Sequence, residues 1–79
     1  MNKNDIDKIL LRWFKTKNVT PKNEEDFVKR KLIDSFSFIE LIIFCEKKFS
    51  IKFKEKALKN NEISTISKLS KLILNEKKQ

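Results

Sequence analysis

The stretch KLIDSFSFIELIIF, residues 31 to 44, decides how this chain folds. It has too many large apolar residues for one side of a helix, and Asp34 near its front edge is a good N-cap residue. The helical period separates the apolar residues of positions 35 to 49 into two stripes. One stripe has the spacing of a core face and consists of Phe38, Leu41, Ile42, Cys45 and Phe49.

The second stripe, called the outer stripe below, consists of Phe36, Ile39 and Ile43. Glu40 and Glu46 are expected to lie toward it. A helix in so small a bundle does not readily bury two stripes. Either the preceding loop and a short third helix cover the outer stripe, or it is an exposed apolar line edged with acid, which is typical of a docking surface.

The rest of the chain predicts further helices around this one. Apolar residues at helical spacing predict a first helix over residues 4 to 16, and a final helix follows Ser64 or Thr65. The intervening residues 16 to 31 have no sustained period and contain the only proline, so we predict a long loop. The apolar residues expected to pin this loop to the core are Phe27, Leu32 and Ile33.

A short helical turn is predicted around residues 54 to 60. The expected fold is therefore all-α, a small bundle of three main helices plus one short helix, in one domain over residues 1–79. Cys45 and Trp13 are both expected to be core residues, Cys45 as a small buried hydrophobe.

The composition excludes several classes of function. The chain has no His, no Gly and one Cys, so the usual general base, a phosphate-binding glycine loop and a cysteine–histidine metal cluster are all missing. We therefore expect a protein that binds or carries something and is not an enzyme. No apolar run is long enough to span a membrane. We expect a cytoplasmic monomer.

The formal net charge of +8 makes nucleic acid a possible partner. Lys and Arg are scattered over all segments, however, which argues against a nucleic-acid interface. Residues 34–49 are the only net-acidic block, with three acidic residues and two lysines. A small basic helical nucleic-acid-binding domain is kept as an alternative on the net charge alone.

The segment LIDSFSFIELIIFCEKKFSIKF resembles the second-helix region of the acyl carrier protein family, which includes peptidyl and D-alanyl carrier proteins. The family motif of Asp-Ser-Leu, then Glu-Leu a few residues on, corresponds here to Asp34-Ser35-Phe36 and Glu40-Leu41. Thr65-Ile66 resembles the family's junction into its last helix. The resemblance covers nearly the whole chain.

The resemblance implies that a phosphopantetheinyl transferase moves 4'-phosphopantetheine from coenzyme A onto Ser35, next to Asp34. The thiol of this arm carries an acyl or aminoacyl group as a thioester, so the reactive group belongs to the cofactor. The resemblance also implies that partner enzymes dock on Phe36, Ile39, Glu40 and Ile43. Those partners are an acyl- or aminoacyl-activating enzyme and a downstream transferase.

The chain departs from the family pattern in its basic charge and in having Arg30-Lys31 where a glycine commonly precedes the motif. The LIDSF sequence is closer to D-alanyl and stand-alone aminoacyl carriers, so we expect a dedicated secondary pathway. A further alternative is a protein-interaction domain that kept the carrier fold without the arm.

Overall fold

The computed structural model describes residues 1–59 and 63–77, and this part of the chain contains four α-helices and no β-strand. The helices are α1 (Lys3–Lys15), α2 (Ser35–Phe49), α3 (Glu55–Lys59) and α4 (Ile66–Lys77). The predicted all-α bundle of three main helices and one short helix is confirmed, with the long loop between α1 and α2.

Helix α1 begins one residue before its predicted start because Asn2 forms a capping box with Asp5. The Asn2 side chain accepts the Asp5 backbone N–H at 3.0 Å, and the Asp5 carboxylate accepts the Asn2 N–H at 3.3 Å. The fully buried face of α1 is Ile6, Leu10 and Phe14.

The loop between α1 and α2 is anchored to the junction before α4. Phe27 is fully buried, and its ring centroid lies 4.9 Å from that of Phe14. The Phe27 N–H donates to the Ser64 carbonyl at 2.9 Å, and the Ser67 N–H donates to the Asn23 carbonyl at 3.0 Å. Ile33 is also buried, so the predicted pinning of this loop is confirmed.

Among the residues that the structure describes, three have the left-handed conformation that usually favours glycine: Asn18 (φ 60°), Lys31 (φ 55°) and Ser50 (φ 54°). Because the chain has no glycine, other residues adopt this conformation, at a cost of about 1–2 kcal/mol each. Ser50 caps the C-terminus of α2, where its N–H donates to the Glu46 carbonyl.

Helix α4 packs against α1 and α2 and connects them. Of the two predicted caps, Thr65 acts as the N-cap, since its hydroxyl accepts the Lys68 N–H at 3.0 Å. The buried Ser70 hydroxyl donates to the Asp7 carboxylate of α1. Lys77 donates to the Phe49 carbonyl at the C-terminus of α2, at 3.3 Å. Lys78, which like Lys77 suits the negative end of α4, lies outside the described residues.

One hydrophobic cluster joins α1, α2, α4 and the loops between them. Its buried members are Ile6, Leu10, Phe14, Phe27, Ile33, Leu41, Cys45, Phe49, Phe53, Ile63, Ile66, Leu69 and Ile73. Because this cluster holds α2 by one face only, the opposite face of α2 lies at the protein surface.

Candidate functional site

The candidate site begins at the N-terminus of α2, where Asp34 is the N-cap. Its carboxylate accepts the Ser37 backbone N–H at 2.8 Å. This hydrogen bond, together with one from the Ser37 hydroxyl and the positive charge of Lys17, lowers the pKa of Asp34 below its ordinary value of 3.8. Asp34 is therefore ionised at neutral pH and fixes the start of the helix.

Ser35 is the first residue of α2, and its side chain is exposed. It shares a cleft of about 480 Å³ with the apolar side chains of Val28, Ile33 and Phe38. Lys31, the left-handed residue of the preceding loop, also lines this cleft. The structure thus brings a free hydroxyl, an apolar cavity and one cation together at the tip of the helix.

The outer stripe of α2 is exposed, as one of the two sequence alternatives predicted. Phe36 is 71%, Ile39 56% and Ile43 47% exposed, whereas Leu41 and Cys45 on the core face are fully buried. The alternative in which the loop and α3 cover the outer stripe is wrong, because both elements pack elsewhere and leave these side chains at the surface.

Glu40 lies beside the outer stripe, and its carboxylate is paired within the protein. Its carboxylate accepts a hydrogen bond from the Lys17 ammonium at 2.8 Å, and the side chain is 40% exposed. Lys17 also lies over the Trp13 ring, 5.6 Å from the ring centroid. Sequence reasoning missed Lys17, because it follows α1 by two residues and comes close to α2 only through the packing of the two helices.

Glu46, three residues after Ile43, also has a partner within the protein. Its carboxylate accepts the Phe53 backbone N–H at 2.9 Å and so holds the segment after α2 against that helix. Lys47, one residue further and one turn after Ile43, is exposed. The two carboxylates expected beside the outer stripe, Glu40 and Glu46, are therefore both bound within the protein, and the Lys47 ammonium lies next to the end of the stripe.

The two candidate core residues behave differently. Cys45 is fully buried, and burial together with the neighbouring Glu46 charge raises the pKa of its thiol to about 12. Trp13 is only half-buried and contacts the rings of Phe14 and Phe44 at the edge of the core. The prediction for Cys45 is confirmed, and Trp13 has a partly exposed ring.

Metal ligands do not cluster anywhere in the described ranges 1–59 and 63–77, where no group of three His, Cys, Asp or Glu side chains is close enough to hold an ion. The described helices are also all too short or too polar to cross a membrane. Comparisons with protein-family models, with curated proteins and with solved structures gave no match to this chain.

Proposed function

We propose that the protein is an acyl or aminoacyl carrier that bears a 4'-phosphopantetheine arm on Ser35. The observation that carries the proposal is the arrangement at the start of α2, where an exposed serine follows a capping aspartate and precedes an exposed apolar stripe. The resemblance of the sequence around Asp34-Ser35-Phe36 to the acyl carrier family supplies the chemistry.

The residues around Ser35 fit such an arm. The hydroxyl is accessible to a transferase, and the first N–H groups of a helix favour an anion such as a phosphodiester. Asp34 directs its carboxylate onto the Ser37 N–H. Val28, Ile33 and Phe38 offer an apolar surface beside the attachment point. When attached, the arm supplies a thiol that carries its cargo as a thioester.

The outer stripe gives partner enzymes a surface next to the arm. Phe36, Ile39 and Ile43 are exposed in a row on one side of α2, and a contiguous apolar patch of this kind is typical of an interaction site. Glu40, which is paired with Lys17, places a carboxylate at one edge of this row. A transferase and an activating enzyme would therefore find the serine and the docking surface on the same helix.

The pathway is proposed to be a dedicated secondary one with its own activating enzyme and transferase. The support is the charge of the chain, which is +8 overall, and the engagement of both expected acidic residues, Glu40 and Glu46, in contacts within the protein. Such a surface differs from an acidic docking helix, which is what the resemblance to the family would lead us to expect.

The test is to incubate the protein with coenzyme A and a broad-specificity phosphopantetheinyl transferase and to measure its intact mass. The mass should increase by one phosphopantetheine group, and Ser35→Ala should abolish the increase. Ser37→Ala is the matched control, because it removes a hydroxyl from the same helical turn and should still be modified. No modification by several such transferases would refute the proposal.

The same experiment addresses the alternative of an interaction domain without an arm. That alternative predicts an unmodified Ser35 with an intact docking stripe. Its support is limited to the exposure of Phe36, Ile39 and Ile43, which both functions share. The carrier function is preferred because it also accounts for the exposed serine and the adjoining cleft.

A further inference from the structure

A separate cleft of about 240 Å³ lies between α1 and α2, away from Ser35. Its apolar part consists of Ile9, Trp13 and Phe44. The Trp13 and Phe44 ring centroids are 6.4 Å apart, with an interplanar angle of 34°, so the two rings are neighbours tilted against each other. Both side chains are half-buried, which places the rings at the floor of the cleft.

Two cations stand at the rim of this cleft, Arg12 from α1 and Lys48 from α2. Both are exposed, and neither has an ion-pair partner within the described residues. The acidic residues of α1 are used elsewhere, since Asp5 closes the capping box and Asp7 binds Lys3 and Ser70. The cleft therefore has an aromatic floor, a positive rim and no carboxylate in its lining.

The positive charge continues along α1. Arg12 also lines an adjoining cleft of about 270 Å³ with Lys8, Leu11 and Lys15. Lys8 and Arg12 are one helical turn apart, about 6 Å along the surface, and Lys15 follows on the next turn. Neither lysine has an ion-pair partner in the part of the chain that the structure describes. Lys8, Arg12 and Lys15 thus form a row of cations on α1 that reaches the aromatic cleft at Arg12, and Lys48 of α2 adds a fourth cation at that cleft.

We propose that this aromatic–basic surface, defined by Trp13, Phe44, Arg12 and Lys48 together with Lys8 and Lys15, binds single-stranded nucleic acid. A base stacks on the part of the Phe44 and Trp13 rings that Lys17 does not cover, and successive phosphates lie against the cations. Stacking on aromatic rings and a positive track along the backbone are the two terms by which proteins bind single strands without reading their sequence. The proposal is independent of any arm on Ser35.

The shape of the surface distinguishes a single strand from other anions. The row of cations extends past the aromatic cleft into the next one, further than a single nucleotide needs. A membrane surface takes up protruding apolar side chains, whereas Trp13 and Phe44 line a recess. On α2 the protruding apolar residues are instead Phe36, Ile39 and Ile43 of the outer stripe.

The first experiment measures binding of a fluorescein-labelled oligothymidylate by anisotropy, with the full chain. Trp13 is the only tryptophan, so quenching of its fluorescence reports contact at the cleft. With four phosphates neutralised, log K should fall against log salt with a slope of about −2.8, and affinity should drop about 50-fold between about 50 and 200 mM salt.

Substitutions then separate the contribution of base stacking from that of phosphate binding. Arg12→Gln with Lys48→Gln should reduce the steepness of the salt slope by about 1.4, because two phosphate contacts are lost. Phe44→Leu should weaken binding about tenfold or more at an unchanged slope, because it removes a stacking ring and keeps an apolar side chain. Lys52→Gln with Lys56→Gln removes two exposed lysines outside the cleft and should keep the wild-type slope.

Several results would overturn the proposal. These are an absence of binding at low salt, an equal loss of slope in the Lys52/Lys56 control, and binding without Trp13 quenching. Thymidine monophosphate that competes as well as the oligonucleotide at equal phosphate concentration would show a mononucleotide site instead. Phosphatidylserine vesicles that shift the Trp13 emission to shorter wavelength and displace the oligonucleotide would show a membrane surface. Circular dichroism verifies that each variant is folded.

Discussion

The division of α2 into a core face and an outer stripe predicts very different losses of stability for two neighbouring truncations. Leu41 is fully buried, and Leu41→Ala leaves a cavity among the side chains of the core, so it should lower the free energy of unfolding by about 2–5 kcal/mol. Ile43 is 47% exposed on the same helix two residues away.

For Ile43→Ala the loss should be distinctly smaller. A fully buried side chain of this size contributes about 1.5–3 kcal/mol, so roughly half of that is at stake, and the better helix propensity of alanine returns a few tenths of a kcal/mol. The expected net loss is about 0.5–1 kcal/mol. The comparison is well controlled, because both variants place alanine in the middle of α2.

Thermal unfolding followed by circular dichroism at 222 nm measures both effects. For a domain of this size 1 kcal/mol corresponds to about 4–8 °C in Tm, so Leu41→Ala should lower Tm by about 8–40 °C and Ile43→Ala by about 2–8 °C. Equal losses, or a larger loss for Ile43→Ala, would refute the division into two stripes. Such a result would mean that the outer stripe is packed in solution.

Three further predictions concern charged and titratable groups. Glu40→Lys should slow transfer of the arm to Ser35 because it reverses the charge beside the docking stripe, while the free energy of unfolding, measured with urea, changes by less than about 1 kcal/mol, since the ion pair with Lys17 is partly exposed. Glu55→Lys disrupts a more exposed pair with Lys59 on α3 and should leave the transfer rate unchanged; an equal effect of both variants would remove the special role of Glu40. The pKa of Asp34 is lower in the folded protein than the ordinary 3.8, so its stabilising contribution is complete above pH 3.8 and is lost as the pH falls below that value. Asp34→Asn keeps a good N-cap without the titration, and the Tm difference between wild type and variant should therefore shrink below pH 3.8; a difference independent of pH would contradict the hydrogen-bonded cap. Cys45, buried and with its pKa raised to about 12, should react with an aromatic disulfide reagent at pH 8 only after unfolding in urea, and rapid reaction of the folded protein would show that α2 does not bury this residue.

Much of the fold follows from local pattern. The phase of apolar residues located all three main helices to within one or two residues, because an amphipathic helix must present its apolar face to the core. Asp34 was predicted as a cap and is one, since a carboxylate before a helix has free N–H groups to accept. The sequence left open whether Phe36, Ile39 and Ile43 are covered or exposed, and the structure shows that they are exposed.

The electrostatics of the site did not follow from pattern. The sequence placed Glu40 and Glu46 near the outer stripe, and the structure shows that both carboxylates have partners within the protein. Glu40 binds Lys17, which is distant in the chain, and Glu46 accepts the Phe53 N–H from the segment after α2. Periodicity describes one helix at a time, and it says nothing about which side chain of another segment comes within hydrogen-bonding distance.

By itself the sequence determined which segments form helices and which face of each is buried, because these depend on residues within one or two turns of each other. Only the tertiary structure decided that Val28 and Ile33 of the loop join Ser35 in one cleft, and that Arg12 and Lys48, 36 positions apart, stand on either side of Trp13 and Phe44. Charges that look scattered along the chain gather where two helices pack, since packing is set by their buried faces and brings the bordering residues together.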